Sequence, residues 1–144
     1  MGKGQKLFTV MLMYAMSLFS VNVLADLLVV VNPKLKIQSL TKQQVSDIFL
    51  DKTNELPTGE PITPYLQSVK SEIHEQFNIK VHERSTSQLK AYWARLVFTG
   101  KGSPPAYFED VNEVKRKIKD NPEIISYIYS EELDDTVKVV ARYP

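Results

Sequence analysis

Five consecutive apolar residues, Leu27-Leu28-Val29-Val30-Val31, ending at Asn32-Pro33, constrain this chain more than any other feature. A strand with one wet face alternates apolar and polar residues. A continuous run of leucine and β-branched residues asks for cover on both faces, as in the parallel sheet of an α/β protein. The segments that follow fit that expectation. Thr41 with Gln44 forms a capping box, and Val45, Ile48 and Phe49 then share one helical face with Leu40. Residues 51–60 hold Asn, Pro, Gly and charges and read as a loop. Residues 62–66 read as a strand and 68–77 as a helix with Ile73 and Phe77 inward. Ser85 with Gln88 opens a helix through Leu89, Tyr92, Trp93, Leu96 and Val97, which Gly100 ends. Asp110 with Glu113 opens another through Val114 and Ile118, stopped at Asn121-Pro122. Residues 124–129 and 137–141 complete the strands. Strands alternating with helices predict a three-layer α/β domain, a mostly parallel sheet flanked by helices.

The residues before this domain have a different character. Lys3 and Lys6 precede an uncharged apolar run from Leu7 to Phe19, and Val23-Leu24-Ala25 stands before Asp26. A basic start, an apolar run and small residues at −3 and −1 are the signature of a cleaved secretory signal. The rival is a retained membrane anchor. The run is short for a bilayer, which needs about 20 residues, and Leu27 to Val31 are wanted as a strand. The expectation is a signal peptide over 1–25, cleaved after Ala25, and a periplasmic domain over 26–144 with no membrane span.

Removing 25 of 144 residues leaves 119, enough for one core. The formal charge is +1, and losing Lys3 and Lys6 takes it to −1, which gives no sign of a nucleic-acid surface. There is no cysteine, hence no disulfide, thiol catalysis or cysteine-bound metal. The two histidines, His74 and His82, are eight apart and lack a carboxylate cluster, so they read as solvated surface rather than a metal or catalytic pair. No serine sits in a nucleophile elbow. Thr99-Gly100-Lys101-Gly102 follows a helix rather than a strand and reads as a helix end, not a phosphate loop. Tyr92, Trp93 and Phe98 read as core, on the stripe of Leu89, Leu96 and Val97. No residue set supports an enzyme or a cofactor.

What remains is an oxyanion at a helix N-terminus, where free N–H groups and the positive end of the dipole meet hydroxyl side chains. Gln67, Ser68, Lys70 and Ser71 form one candidate set; Ser85-Thr86-Ser87 is the other start of this composition. Ordinary capping competes at both.

The order of segments resembles the periplasmic phosphate-binding proteins of phosphate ABC transporters, and especially their short single-lobe relatives. The pieces are Val29-Val30-Val31-Asn32-Pro33, Leu40-Thr41 with Ile48-Phe49-Leu50-Asp51-Lys52, and Gly59-Glu60-Pro61-Ile62-Thr63-Pro64. Further on come residues 92–105, from Tyr92-Trp93-Ala94-Arg95 to Ser103-Pro104-Pro105, and Asn121-Pro122-Glu123-Ile124-Ile125-Ser126-Tyr127-Ile128. Together they span nearly all of 27–130. The resemblance implies one lobe of a type II periplasmic-binding-protein fold and a role in phosphate transport without chemistry. It also implies an arginine and a Ser-Gly-Thr helix start that bind phosphate. Here that region reads Pro64-Tyr65-Leu66-Gln67-Ser68-Val69-Lys70-Ser71, without the arginine and the glycine. Lys70 is a point charge where arginine would be a bidentate fork, and a lone lobe leaves the anion half in water. The expectations are therefore weak binding of phosphate or a similar oxyanion, with a membrane transporter as partner, or a ligand-free interaction module that docks a partner or a second copy.

Overall fold

The computed structural model describes residues 24–144; the leader read over 1–25 lies outside the described residues except for Leu24 and Ala25. Strand β1 (Leu27–Val31) is wholly buried along its length. With β5 (Ile124–Tyr129) it makes the central pair of a four-stranded sheet of order β2-β5-β1-β6, whose edges are β2 (Thr63–Pro64) and β6 (Lys138–Tyr143). Leu27, Val29 and Val31 meet one core with Val45, Ile48, Phe49, Ile73 and Phe77. Leu28 and Val30 meet another with Phe108, Val114 and Ile118. Burying each such side chain is worth about 1.5–3 kcal/mol, so both helical layers rest on this one strand. The three-layer α/β class is thus the observed one.

The sheet is mixed. β2 runs parallel to β5, and the separate pair β3 (Leu66–Gln67) and β4 (Tyr107–Phe108) is parallel, but β1 runs antiparallel to both β5 and β6. The apolar run reports burial of both faces, which holds in either direction. Against β6 the register shifts between Val29, opposite Ala141, and Val30, opposite Val139, so Val140 is the extra residue of a bulge on β6.

The helices are α1 (Lys42–Phe49), α2 (Glu72–Phe77), α3 (Thr86–Phe98) and α4 (Val111–Asp120). The capping boxes of α1 and α3 form as expected, with Thr41–Gln44 and Ser85–Gln88 each bonding reciprocally. At α4 Asp110 caps the Glu113 N–H, while the Glu113 carboxylate accepts from Glu109 N–H instead of the cap. Three expectations are corrected. The strand read over 62–66 is two strands in two sheets. Pro64 has no N–H to carry a ladder onward, and Tyr65 turns aside to stack on Phe108 with centroids 4.4 Å apart. The helix read from 68 begins at Glu72, because Ser71 N–H closes a turn onto Ser68 O (2.8 Å). It then continues past Phe77 as a wide π turn, Asn78–His82.

Asn32 explains the Asn-Pro step after β1. Its Nδ2 donates to Ile118 O (2.8 Å) and its Oδ1 accepts from Lys34 N–H (2.9 Å), so one buried amide ends the strand and ties it to α4. Gly100, at φ +68°, closes α3 with Gly100 N–H on Val97 O and Lys101 N–H on Leu96 O, a Schellman motif that needs a left-handed residue. The reading of that glycine as a helix end holds.

Candidate functional site

Each of the four residues nominated for an anion has a defined place. Gln67 ends β3 and points inward. Its backbone N–H donates to the Tyr127 hydroxyl (3.0 Å) and its side-chain Nε2 donates to Tyr127 O (2.7 Å). Both donors are committed to β5, and Gln67 is buried, so it belongs to the core. Ser71 is the N-cap of α2. Its Oγ donates to Ser68 O (2.6 Å) and accepts from His74 N–H (3.4 Å). Ser68 is half-buried, and Val69 and Lys70 form the exposed tip of the turn. Ser68, Lys70 and Ser71 therefore sit together, while Gln67 faces away. The first turn of α2 carries Glu72 and Glu75, whose charges complement the helix dipole and oppose a second anion. The other nominated start, at Ser85, has no acidic residue in its first turn.

Beside the 68–71 turn a cleft of about 360 Å³ opens, with mostly apolar walls. Leu66 from β3, Val69 from the turn, Phe49 and Leu50 from the end of α1, Leu89 and Trp93 from α3, and Pro104-Pro105 form those walls. His74, Asn78, His82 and Thr86 supply its polar part, and Lys90 its cation. Thr86, Lys90 and Trp93 lie on one side of α3 by their spacing of four and three residues. Lys90 is exposed and has no ion pair among the described residues.

Under the cleft runs a buried polar chain. His74 Nδ1 meets the Tyr127 hydroxyl (3.0 Å), His74 Nε2 meets the Asn78 amide (3.2 Å), and Asn78 Nδ2 reaches Thr86 Oγ1 (3.5 Å). Both imidazole nitrogens thus have partners, as a neutral ring in the interior requires. Burial lowers the His74 pKa, because the charged form would lose its water. His82 bonds Ser46 Oγ (2.9 Å) and lies edge-on to Phe77. Burial first, then the Arg84, His74 and Lys52 charges, lowers its pKa to about 4. The expectation of two solvated histidines is thereby corrected: His74 stands three residues before Phe77 on the buried side of α2, and the π turn that follows carries His82 against Phe77 and Ser46. Burial also raises the Tyr127 pKa.

A second, polar groove of about 440 Å³ lies on the other side of His82, with Lys42, Lys52 and Arg84 on its walls. Lys42 pairs with Glu83 (2.7 Å) and Lys52 with Asp47 (3.5 Å), so two of its three cations already have carboxylates. Arg84 stacks over the Tyr92 ring, 5.5 Å from its centroid. Sequence reasoning missed both this groove and the cleft, since their residues come from segments up to 56 positions apart, from Phe49 to Pro105.

The aromatic stripe of α3 also departs from expectation. Leu89 alone is buried; Trp93 and Tyr92 are half-buried, Val97 is 55% exposed and Phe98 93%. Among the described residues no element covers the C-terminal turn of this helix. No group of three or more His, Asp or Glu residues placed to hold a metal occurs among the described residues, and no described helix is long and apolar enough to cross a membrane.

No protein-family model matches the chain, and no curated protein is similar to it. Solved structures do match. An ABC-type phosphate transport receptor from Vibrio cholerae aligns at TM-score 0.63 and 16% identity over 81% of this chain and 46% of that one. A putative phosphate ABC transporter substrate-binding protein with bound phosphate, from Clostridium perfringens, aligns at 0.60 and 17% over 81% and 45%. PstS from Borrelia burgdorferi aligns at 0.60 and 13% over 81% and 47%. The chain thus has the fold of part of such receptors, as the resemblance implied, and spans less than half of their length.

Proposed function

We propose that this chain is a non-catalytic, exported solute-binding lobe, released into the periplasm by cleavage after Ala25. It receives phosphate or another oxyanion at the Ser68–Ser71 turn. The observation that carries the reading is the cleft beside that turn: Leu66, Val69 and His74 all line it, so the helix start nominated from sequence borders a concave surface. Likeness to phosphate receptors adds weight to the solute class, although fold does not fix function. Binding by the lone lobe is weak. Gln67 gives its donors to Tyr127, Glu72 and Glu75 oppose the anion, and an anion on an exposed turn keeps one side in water and salt. In this role the lobe hands its solute to a membrane transporter.

Calorimetric titration of phosphate into the purified protein at low salt, with sulfate as comparator, tests the reading. Saturable heat that disappears in Ser68→Ala/Ser71→Ala supports it, and the absence of heat from a folded protein overturns it. The uncovered Val97 and Phe98 favour a second reading, a module that docks a partner or a second copy through the edge of α3. Light scattering distinguishes the two, since a solute carrier stays monomeric at concentrations where a self-docking lobe does not.

A further inference from the structure

We infer that the cleft between α3, the end of α1 and the 66–71 turn is a site for a small aromatic acid, its ring against the apolar walls and its carboxylate at Lys90. The inference deepens the solute-binding reading and rests on it, but changes the solute's chemistry from a bare oxyanion to an amphipathic anion.

Three observations lead there. The first is size and lining. About 360 Å³ falls in the range of small-molecule sites, roughly 300–1,000 Å³, and a tetrahedral oxyanion would leave most of it empty. Apolar walls offer such an ion nothing in place of its lost water. A ring offers those walls its faces, and Trp93 and the Pro104-Pro105 step are flat surfaces suited to stacking, with the buried Phe49 beneath them.

The second is charge. Among the described residues Lys90 is the one lysine or arginine lining the cleft, and no carboxylate lines it. The lysines of the neighbouring groove are paired with Glu83 and Asp47, whereas Lys90 has no such partner among the described residues. One ammonium at the rim of an apolar cleft matches a single anionic group attached to an apolar body.

The third is a rigid polar end. His74 and Asn78 are 7% and 2% exposed and are held by Tyr127 and Thr86. This end is built before any ligand arrives, so little ordering cost falls on binding. A protein segment would be a poorer occupant, because the cleft is small and its one charge is localised.

Trp93 is the single tryptophan of the chain, so its fluorescence reports from inside the cleft. The probe is phenylacetate, titrated into the full purified protein, with benzyl alcohol as its neutral counterpart and inorganic phosphate in a parallel titration. The expected result is a saturable change with phenylacetate, at least fivefold weaker affinity for benzyl alcohol, and at least fivefold weaker phenylacetate affinity in Lys90→Gln. That variant folds, because Lys90 is exposed, and Lys119→Gln on α4 serves as the charge control and leaves affinity unchanged. A linear, non-saturating response to phenylacetate overturns the inference. So does a saturable response that Lys90→Gln and Lys119→Gln weaken equally. Phosphate binding without phenylacetate binding overturns it and leaves the oxyanion reading standing. Phenylacetate binding without phosphate binding upholds it and removes the oxyanion.

Discussion

Replacing Tyr127 and Tyr143 by phenylalanine removes the same atom from two strands of one sheet, yet the structure sets opposite outcomes. The Tyr127 side chain is fully buried, and its hydroxyl accepts from Gln67 N–H and bonds His74 Nδ1. Tyr127→Phe strands a backbone donor and an imidazole nitrogen in the interior. Each unsatisfied buried group costs about 1–3 kcal/mol. The ring remains stacked on Phe77, centroids 4.1 Å apart, so no large cavity adds to this. The sum is about 3 kcal/mol, discounted from the upper bound because His74 keeps its Asn78 contact. For a domain of this size that lowers Tm by on the order of 10 °C. The Tyr143 hydroxyl, by contrast, is buried with no hydrogen-bond partner among the described residues. Tyr143→Phe removes an unpaired polar atom and leaves stability unchanged or raised by up to about 1 kcal/mol. Urea denaturation at pH 7.5, read as the midpoint at constant m-value, measures both. A loss under about 0.5 kcal/mol for Tyr127→Phe, or equal losses for the two variants, would refute the network reasoning.

Three further outcomes follow from single residues. His82 is neutral in the fold down to about pH 4 and protonates near 6.5 when unfolded, so the unfolded state binds more protons between those values; stability therefore falls by about 3 kcal/mol as pH drops from 6.5 to 4, and midpoints measured against pH should flatten in His82→Gln. Gly100→Ala forces a Cβ into the left-handed cap at φ +68° and should lower stability by about 1 kcal/mol in the same assay; a gain would mean the Schellman cap is not formed. Phe98→Ser removes a side chain that is 93% exposed and should shift stability by less than about 0.5 kcal/mol, while any self-association seen by light scattering should weaken.

The sequence showed where elements begin and end more clearly than where their faces point. Thr41, Ser85 and Asp110 cap their helices as read, because capping is settled within four residues. β1 and β5 were legible in full, since long apolar runs carry their own signal. Strand direction was not, because burial of both faces is indifferent to whether a neighbour runs parallel or antiparallel. The two histidines were misread for different reasons: His74 shares the inner side of α2 with Phe77 three residues on, which periodicity already implied, whereas His82 ends a π turn that changes the angular phase of the helix and has no composition signal here. The stripe on α3 was real, yet periodicity cannot say whether another element covers it, and among the described residues its last turn has no cover. At the candidate site, Ser68, Lys70 and Ser71 were found together, but Gln67 turned inward once β3 paired with β4 and its amide met Tyr127. The cleft itself lay beyond local reading, for its walls come together only when α1, α3 and residues 104–105 pack.

The central claim is that a solute binds at the 68–71 turn and its cleft, and amide-resolved NMR during a phosphate titration tests it most directly. The account predicts saturable shifts at residues 68–73, with Thr86 and Lys90 as the next nearest reporters. Shifts confined to the groove of Lys42, Lys52 and Arg84, or none at any amide, would contradict it.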